Sequence, residues 1–594
     1  MTDLVELAKR RGFFFQASEA YGGVSGFYVY GPQGAALKRQ VEDAWRDRFA
    51  VREGNTEIDA PTVMPEPVFE ASGHLDGFDD MLVECAECGQ SHRADHLVEG
   101  ATDVTEAETL SPEEIVDVVA EHDIHCPSCG APLAGRPVEE FNLMFETSIG
   151  PGSSSPGYLR PETAQGIFVE FPRLKEYARE KLPFGVTQIG RAYRNEISPR
   201  NALLRVREMT QAELELFVDP ETDEPPLDRV ADVTLPLYHA EETVTVTVDG
   251  EETTVPGQLA PDGEPVEMTV REAVESGVVE NAWIAYYLAL GKRWYARVGV
   301  DLERFRFRQH QAGERAHYAA DCWDAEAEVD GDWIELAGFA YRGDYDLSKH
   351  DAHSDDSFTV FREFDEPRTV ERATVEPDMS YLGPEYGGAA ADIAEALADL
   401  AARDRAAFDG DAVTVEVDGE TYEVPTERTG FAVETVTETG RQMTPHVVEP
   451  SFGMDRAVYT VLAHNYDEDE VEGERRRVLR LGPEMAPTFV GVFPLMDRDG
   501  LAERAREVVA ELREAGFSVA YDKSGNIGRR YRRQDEVGTP YCVTVDYETI
   551  EPGAKQGTVT VRERDSTAQV RVAIDELPAV LAALRTGERD FDEL

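Results

Sequence analysis

The sequence predicts an α+β protein: an antiparallel sheet flanked by helices, carrying a cysteine-bearing insertion and two acidic insertions, followed by a C-terminal α/β domain. Three observations lead there. Apolar residues alternate through "FNLMF", "GIFVEF", "FGVTQIG" and "LELFV" between 140 and 217, the period-two pattern of antiparallel strands. From 488 onward, strand-like and helix-like runs alternate at a spacing that suits a mostly parallel sheet. At 594 residues the chain is too long for one compact core.

Taken in order, "GAALKRQVEDAWRDRFAV" (34–51) reads as a helix, and the Pro-punctuated "EIDAPTVMPEPVFEASGHLDGF" as extended chain. A module bounded by Cys85 and Cys129 then interrupts the body, and residues 84–140 are assigned to it. "VTVTVDGEETTVP" (244–256) and "VTVEVDGETYEVP" (413–425) read as hairpins turning at Asp-Gly. Each lies in an acidic stretch, 219–280 and 354–445, that reads as inserted into a body spanning 1–480. The charged segment "NYDEDEVEGERRRVLRLGPEMAP" (465–487) leads into the last domain, 484–594. There the expected order is strand "TFVGVFPL", helix "DGLAERAREVVAELREAG", strand "FSVAYD", basic helix "GNIGRRYRRQDEVG", strand "YCVTVDY", two shorter strands and a terminal helix.

Acidic residues number 118 against 58 basic ones, for a net charge of −60, and only 8 of the basic residues are Lys. The excess runs through the whole chain, which suits a halophilic protein: at high salt the Debye length falls to about 3 Å, so dense carboxylates hydrate the surface without long-range repulsion. Intrinsic disorder conflicts with the regular apolar periodicity. The start has no secretory pattern, and no apolar run is long enough to cross a membrane, so a cytoplasmic chain is expected. Six cysteines are too few for a disulfide scaffold. Four form two C-x2-C knuckles, Cys85/Cys88 in "CAEC" and Cys126/Cys129 in "CPSC". Each knuckle can offer two thiolates to one tetrahedral Zn²⁺, and four thiolates leave no open position, so a structural zinc is expected; reduced, unpaired thiols are the alternative. Cys322 and Cys542 are isolated and expected to be small buried side chains.

The stretch "YRNEISPRNALLRVREMTQAELELF" concentrates Arg194, Arg200, Arg205 and Arg207 among the glutamates Glu196, Glu208 and Glu213. Alone it could be a solvated, salt-bridged strand end. Yet a hairpin bearing both signs is also what is needed to bring a triphosphate to a carboxylate: arginines neutralise phosphate, and carboxylates hold Mg²⁺ or an ammonium. "GRAYRNEISPRNALLRVREMTQAELELF" resembles motif 2 of the class II aminoacyl-tRNA synthetases, and "FGMDRAVYTVL" (452–462) resembles motif 3, with Gly453 and Arg456. Pro61 and Pro65 both compete for the proline of motif 1. Together with "SGHLDGFDD", "RADHL", "YLRPETAQGIF", "WIELAGFAYRGDYDL" and "VEPSFGMDR", these segments are similar to the dimeric glycyl enzymes of archaea and eukaryotes. The last domain, with "NIGRRYRRQDEVGTPY", resembles the anticodon-binding domain shared by the glycyl, histidyl, threonyl and prolyl enzymes.

The resemblance implies that glycine is activated with ATP to an adenylate and then transferred to the 3′ end of tRNA(Gly), by a homodimer using Mg²⁺ with ATP. It assigns Arg194 to the α-phosphate, Glu196 to the adenine amino group, Arg205 or Arg207 to the β- and γ-phosphates, and Arg456 to the γ-phosphate beside a helix N-terminus. Arg194, Glu196 and Arg456 are the expected catalytic set. The rest of the expected ATP site is Asn195, Leu204, Val206, Glu208, Met209, Leu336, Gly453, Met454 and Asp455, with Glu335 and Glu449 as candidates for Mg²⁺. Glu162 and Glu213 match ammonium-binding carboxylates, Ser451 closes the pocket near the α-carbon, and Arg93 is another substrate-side position. Met209, Thr210, Gln211, Ala212, Glu449, Pro450, Phe452 and Gly453 complete the expected glycine site. Met209 departs from the class pattern, which places Phe near this point to stack on adenine. In the last domain Arg529, Arg530, Tyr531, Arg532 and Arg533 are expected to bind tRNA by phosphate contact and stacking, although Asp535 and Glu536 leave a solvated helix face open as the alternative. A relative that only holds RNA would be expected to lack the motif 2 or motif 3 arginine, and this chain has both.

Overall fold

The computed structural model describes residues 2–594 apart from 103, 105–106, 108–109, 152–154, 200–201, 241–242, 249–250, 258, 261–262, 312–320, 418 and 472. Arg200 and the Asp-Gly turn of the first hairpin therefore lie outside the described residues.

A nine-stranded sheet organises the larger part of the chain. Its strands, in chain order, are β1 (Thr56–Glu57), β2 (Phe184–Tyr193), β3 (Glu208–Val218), β4 (Thr234–Tyr238), β5 (Val266–Thr269), β6 (Phe305–Gln309), β7 (Asp321–Val329), β8 (Asp332–Gly343) and β9 (His446–Gly453). They lie side by side as β5-β4-β6-β7-β8-β9-β3-β2-β1, and only β4–β6 and β2–β1 pair in parallel. The pleat sends alternate side chains to opposite faces. On one face Ala212, Leu214, Leu216, Phe339 and Phe452 join a large core packed against α1 (Pro32–Trp45), α2 (Ala282–Val298) and α3 (Met454–Asn465). α2 is capped by the Asn281 side chain at its start and by Gly299, at φ 96°, at its end. Phe452 is the hub: the rings of Phe49, Trp294, Phe339, Tyr295 and Trp45 lie 4.9, 5.2, 5.5, 5.9 and 6.0 Å from it.

The cysteine module is a three-stranded sheet of Asp79–Glu84, Ser91–Arg93 and Val138–Asn142 with two helices, Ala94–Ala101 and Pro112–Glu121, around its own core of Val83, Val98, Ile115, Val119 and Leu133. The last domain has strands β10 (Val490–Pro494), β11 (Val519–Tyr521), β12 (Tyr541–Val545), β13 (Thr558–Glu563) and β14 (Gln569–Ala573), in the order β11-β10-β12-β13-β14, with helices α4 (Leu501–Glu514), α5 (Ile527–Asp535) and α6 (Leu577–Thr586). Residues 179–181 and 359–444 form a separate unit. Within it a long hairpin, Val360–Thr374 with Ala432–Met443, and the hairpin Ala412–Val417 with Glu420–Pro425 accompany the helix Ala390–Arg403, whose Ile393 and Leu397 pack with Phe408, Val413 and Val424.

Three expectations change. "GIFVEF" is not a strand: Gln165–Phe168 and Phe171–Tyr177 are helices, because a short buried apolar run carries no period that separates strand from helix. The stretch 219–280 is not a separable insertion, since β4 and β5 belong to the main sheet and only the hairpin Thr243–Val248/Glu251–Pro256 pairs with itself alone. The last domain's sheet is mixed: β10 pairs in parallel with β11 and β12, but β12–β13 and β13–β14 are antiparallel because no crossover helix joins them.

Candidate active site

β2 and β3 form one hairpin, in register from Tyr193↔Glu208 to Phe184↔Phe217. β3 then pairs with β9 through Gln211↔Gly453 and Glu213↔Ser451, and β9 with β8 through Ser451↔Gly338. This register brings segments far apart in the chain to one face, opposite the aromatic core. The cavity on that face is lined by Arg194, Glu196, Leu204, Arg205, Val206, Met209, Thr210, Gln211, Glu335, Leu336, Ser451, Gly453, Asp455 and Arg456 among the expected residues, with Leu203, Ala337 and Gly338 added.

The cations are held in place by oxygen acceptors. Arg194 donates from Nε to the Pro161 carbonyl at 3.2 Å, with its guanidinium 5.5 Å from the Phe78 ring centre. Arg456 donates from Nε to the Leu204 carbonyl at 3.1 Å and from Nη1 to the Glu335 carbonyl at 2.8 Å; the Glu335 carboxylate is 3.1 Å away. That guanidinium pulls the half-exposed Glu335 carboxyl below its usual pKa, so Glu335 is an anion where it lines the cavity. Arg205 donates from Nε to Glu196 Oε2 at 2.6 Å and sits 3.6 Å from Asp80. Of the two arginines left open for the β- and γ-phosphates, only Arg205 lines the cavity. Arg207 turns away, its Nε on the Glu196 carbonyl at 3.0 Å and its Nη1 on the Ser25 carbonyl at 3.2 Å.

Beside the cavity, Glu213 accepts from the Ser451 hydroxyl at 2.6 Å and, on its other oxygen, from the Thr163 hydroxyl. Glu162 accepts from Gln165 at 2.9 Å and lies 3.7 Å from His74. Burial works to raise the Glu162 pKa, but the neighbouring His74, Arg342 and Arg194 and the Gln165 hydrogen bond hold it below the usual value. Glu213, Glu215 and Glu449 bring carboxylate oxygens within 4.8 Å of one another. Burial raises both Glu213 and Glu215, helped by the charge of Glu162 at the first and of Glu449 at the second, and both Glu215 oxygens lack a hydrogen-bond partner. Arg342 reaches into this cluster, donating to Glu449 at 2.7 Å and to both Asp346 oxygens at 2.6 and 2.8 Å. The trio is a buried carboxyl cluster; Glu449 does not line the cavity whereas Glu335 does, so Glu335 is the carboxylate placed to meet Mg²⁺ arriving with ATP.

Glu449 is pushed up to about 8, chiefly by burial, with Arg342 opposing the rise and Glu213 and Glu162 adding to it. A carboxyl raised in the fold is protonated there from its unfolded pKa of about 4.3 up to its folded one. The stability it contributes is therefore complete at low pH and lost as pH climbs through that window. Thermal scans of ligand-free protein should show Glu449→Gln flattening the fall in Tm between pH 5 and 9; parallel wild-type and variant profiles would mean that Glu449 ionises normally.

Several expected residues sit elsewhere. Ala212, Pro450 and Phe452 alternate to the opposite face of the sheet, and Met454 lies in the core. Glu208 pairs with Arg191 at 3.5 Å outside the cavity, and Asn195 is seen through its backbone N–H, bonded to the Leu143 carbonyl at 2.7 Å. Asp455 lines the cavity but is already occupied: it accepts from the Thr210 N–H at 2.6 Å and from the Tyr30 hydroxyl, tying α3 to β3. Arg93 lies outside the cavity, on Asp95 at 3.1 Å and Asp80 at 3.0 Å, and reaches Arg205 through Asp80. Sequence reasoning missed Arg342, Thr163, Asp80 and Tyr30. Arg342 and Asp346 were visible as an i,i+4 pair in "YRGDYDL", the one available signal.

On α5 the expected RNA-facing side is largely spent on contacts within the protein. Arg530 is buried, donating to the carbonyls of Pro494, Lys523 and Gly525. Arg533 holds Asp522 at 2.8 Å, Tyr531 donates to or accepts from Thr544 at 2.6 Å, and Arg532 reaches the Val471 carbonyl at 3.3 Å. Arg529 is the exposed cation of the set.

In the cysteine module Cys85 and Cys129 Sγ are 3.6 Å apart, and Cys88 and Cys126 Sγ 3.7 Å. Four sulfurs about 2.3 Å from a tetrahedral Zn²⁺ would be about 3.8 Å from one another, so the set fits the ion. His92 Nε2 lies 3.3 Å from Cys126 Sγ, the contact an outer-shell donor to a thiolate makes. Cys126→Ser is expected to abolish stoichiometric zinc binding and open 85–129 to proteolysis; undiminished metal content would exclude the site.

The family described as "tRNA synthetase class II core domain (G, H, P, S and T)" matches residues 154–249, and that described as "Anticodon binding domain" matches 490–584. Along its whole length the chain is similar to curated proteins named glycine–tRNA ligase. It is 49% identical over 594 residues to that of Methanothrix thermoacetophila, covering 99% of this chain and 98% of the relative. With that of Archaeoglobus fulgidus it shares 46% over 593 residues, 100% and 98%, and with that of Methanothermobacter thermautotrophicus 45% over 582 residues, 98% of each.

Proposed function

This chain belongs to the glycine–tRNA ligase family, and from that premise we propose how its cleft activates glycine with ATP and passes it to the 3′ end of tRNA(Gly). The observation that carries the reading is one sheet face bearing two separate groups in register: arginines with Glu196 over the ends of β2 and β3, and carboxylates with Ser451 on β3 and β9. A triphosphate needs the first and an ammonium the second.

Arg194 steadies charge on the α-phosphate as the glycine carboxylate attacks in line, while Arg205 and Arg456 hold the outgoing pyrophosphate. Glu196 reads the adenine amino group, its other edge fixed by Arg205. Met209, lining the same cavity, supplies a polarizable contact where the class usually stacks Phe. Bound with ATP at Glu335, Mg²⁺ would neutralise phosphate charge. Glu162, kept ionised, and Glu213 take the ammonium. The Ser451 hydroxyl, held by Glu213, forms a fixed wall at the α-carbon, so a methyl meets a barrier and not an open pocket. A structural zinc holds the cysteine module together. The body 1–480 and the domain 484–594 divide adenylation from anticodon binding, with Arg529 as the free cation of the basic helix. The excess of acid over base fits a cytoplasm of high salt, and among the described residues no helix is long and apolar enough to cross a membrane. The working enzyme is a homodimer, as in the dimeric enzymes its motifs resemble.

Amino-acid-dependent ATP–pyrophosphate exchange in concentrated KCl tests the reading. Exchange with glycine and little with alanine or serine is expected; exchange with alanine or serine but not glycine would overturn it.

A further inference from the structure

The helix Tyr345–His353 leaves the end of β8 and carries Asp346 and His350 one turn apart, on a shared face. Both side chains are buried, at 2% and 5% exposure. A carboxylate and an imidazole are costly to bury unless each is engaged. Here each is engaged toward the carboxylates of the glycine site. Asp346 takes the Arg342 guanidinium on both oxygens, and that guanidinium donates to Glu449 at 2.7 Å. His350 Nε2 lies 3.2 Å from Gln165 Oε1, and Gln165 Nε2 donates to Glu162 at 2.9 Å.

Chemistry fixes the direction of this second chain. Glu162 is held ionised and can only accept, so the Gln165 amide turns its N–H to it. The amide oxygen then faces the imidazole, and His350 donates from Nε2. Burial, opposed by the charge of Asp346, pushes the His350 pKa down to about 4, so near neutral pH the ring has one N–H and no charge. Its place is set by Phe358, whose ring lies 5.8 Å away at 22° and whose N–H donates to Asp351 of the same helix at 2.8 Å. Gln165 is fully buried at the start of the helix Gln165–Phe168. Among the described residues it supplies the hydrogen bond that Glu162 receives, since His74, at 3.7 Å, stands beyond hydrogen-bond reach.

We propose that His350 is a positioning residue for glycine, acting through Gln165 on Glu162 from the same helix face that holds Glu449 through Asp346 and Arg342. His350 does not line the cavity and meets no substrate. Glycine offers no side chain to grip, so its ammonium is bound only as well as its carboxylates are aimed, and a loosened Glu162 costs affinity for glycine while leaving ATP untouched. The proposal rests on the assignment of Glu162 to the glycine ammonium.

The test is ATP–pyrophosphate exchange by full-length protein carrying three variants. His350→Phe keeps a ring beside Phe358 but donates no hydrogen bond, His350→Gln can donate again, and Gln165→Met cuts the chain in its middle. His350→Phe and Gln165→Met should each raise the KM for glycine by roughly tenfold, the worth of a buried hydrogen bond with its orphaned partner, and keep the KM for ATP within about twofold of wild type. Together they should cost no more than the larger single change, because both interrupt one chain. His350→Gln should recover part of the loss. Glu162→Gln guards the premise: its KM for glycine should rise at least as far, and no rise there would sink the ammonium assignment itself. With that rise in hand, the proposal fails if His350→Phe leaves the KM for glycine within about twofold of wild type, if it raises the KM for ATP equally, if its effect multiplies with that of Gln165→Met, or if His350→Gln recovers nothing.

Discussion

Arg194→Ala is expected to cut glycine-dependent ATP–pyrophosphate exchange by about 10²–10³-fold, chiefly in kcat, with the fold intact. The size matches what removal of one fixed donor at a developing charge costs in other enzymes. The guanidinium is already held in the ground state by the Pro161 carbonyl and the face of Phe78, so it meets the α-phosphate without first being ordered. Its charge also reaches past phosphate, since it helps to keep both Glu162 and Glu335 ionised. The variant should accordingly show a second, smaller effect: a rise in the KM for glycine as Glu162 loses part of its positive surroundings. Arg194→Lys should recover more of the KM for glycine than of kcat, because an ammonium restores charge but not the two-pronged geometry of a guanidinium. Exchange within about tenfold of wild type in Arg194→Ala would remove this arginine from the phosphate.

The difference between charge and geometry also explains what could be read from residues alone. The mixed-sign hairpin 193–213 and the segment 452–456 announce themselves because both signs lie close in sequence, and Arg194, Glu196 and Arg456 do converge on one cavity. Facing is harder. Sequence groups Thr210, Gln211 and Glu213 with Ala212, yet the pleat sends Ala212 into the core. The arginines and Tyr531 on α5 read as a face for RNA, but a helix shows its buried side only once its partners are known, and the Pro494 carbonyl that captures Arg530 comes from another strand. Arg342 meets Glu449 only through the β8–β9 pairing. Asp80 meets Arg205 only because the cysteine module folds back beside the hairpin. Local patterns name candidate groups, and pairings between distant segments decide which of them share a face.

The same alternation sets up the second large effect, on stability. Phe452→Ala is expected to destabilise the protein by about 3–5 kcal/mol, read as a fall in the denaturant midpoint of the unfolding transition that reports the main sheet. Phe452 lies between two residues of the cleft face, Ser451 and Gly453, and its motif places it beside glycine; its fully buried ring instead meets five other aromatic rings drawn from α1 and the short helix Arg46–Val51 that continues it, α2 and β8. Large aromatic rings at these separations contribute through buried area and edge-to-face contact, and a cavity among them cannot close when the sheet on one side and three helices on the other are fixed by their own pairings. Ser451→Ala makes the opposite change. It removes one hydroxyl that orients Glu213 and leaves the core untouched, so stability should hold while the KM for glycine rises and discrimination against alanine falls. In Phe452→Ala, measured where the protein is still folded, the ratio of glycine to alanine activation should remain close to wild type, because β9 stays paired on both sides through backbone hydrogen bonds that the ring does not make. The two adjacent substitutions thus separate the faces of one strand: one should move the unfolding midpoint and the other the substrate ratio. A Phe452→Ala variant that lost specificity without losing stability would mean that the strand is turned the other way, with the ring in the cleft.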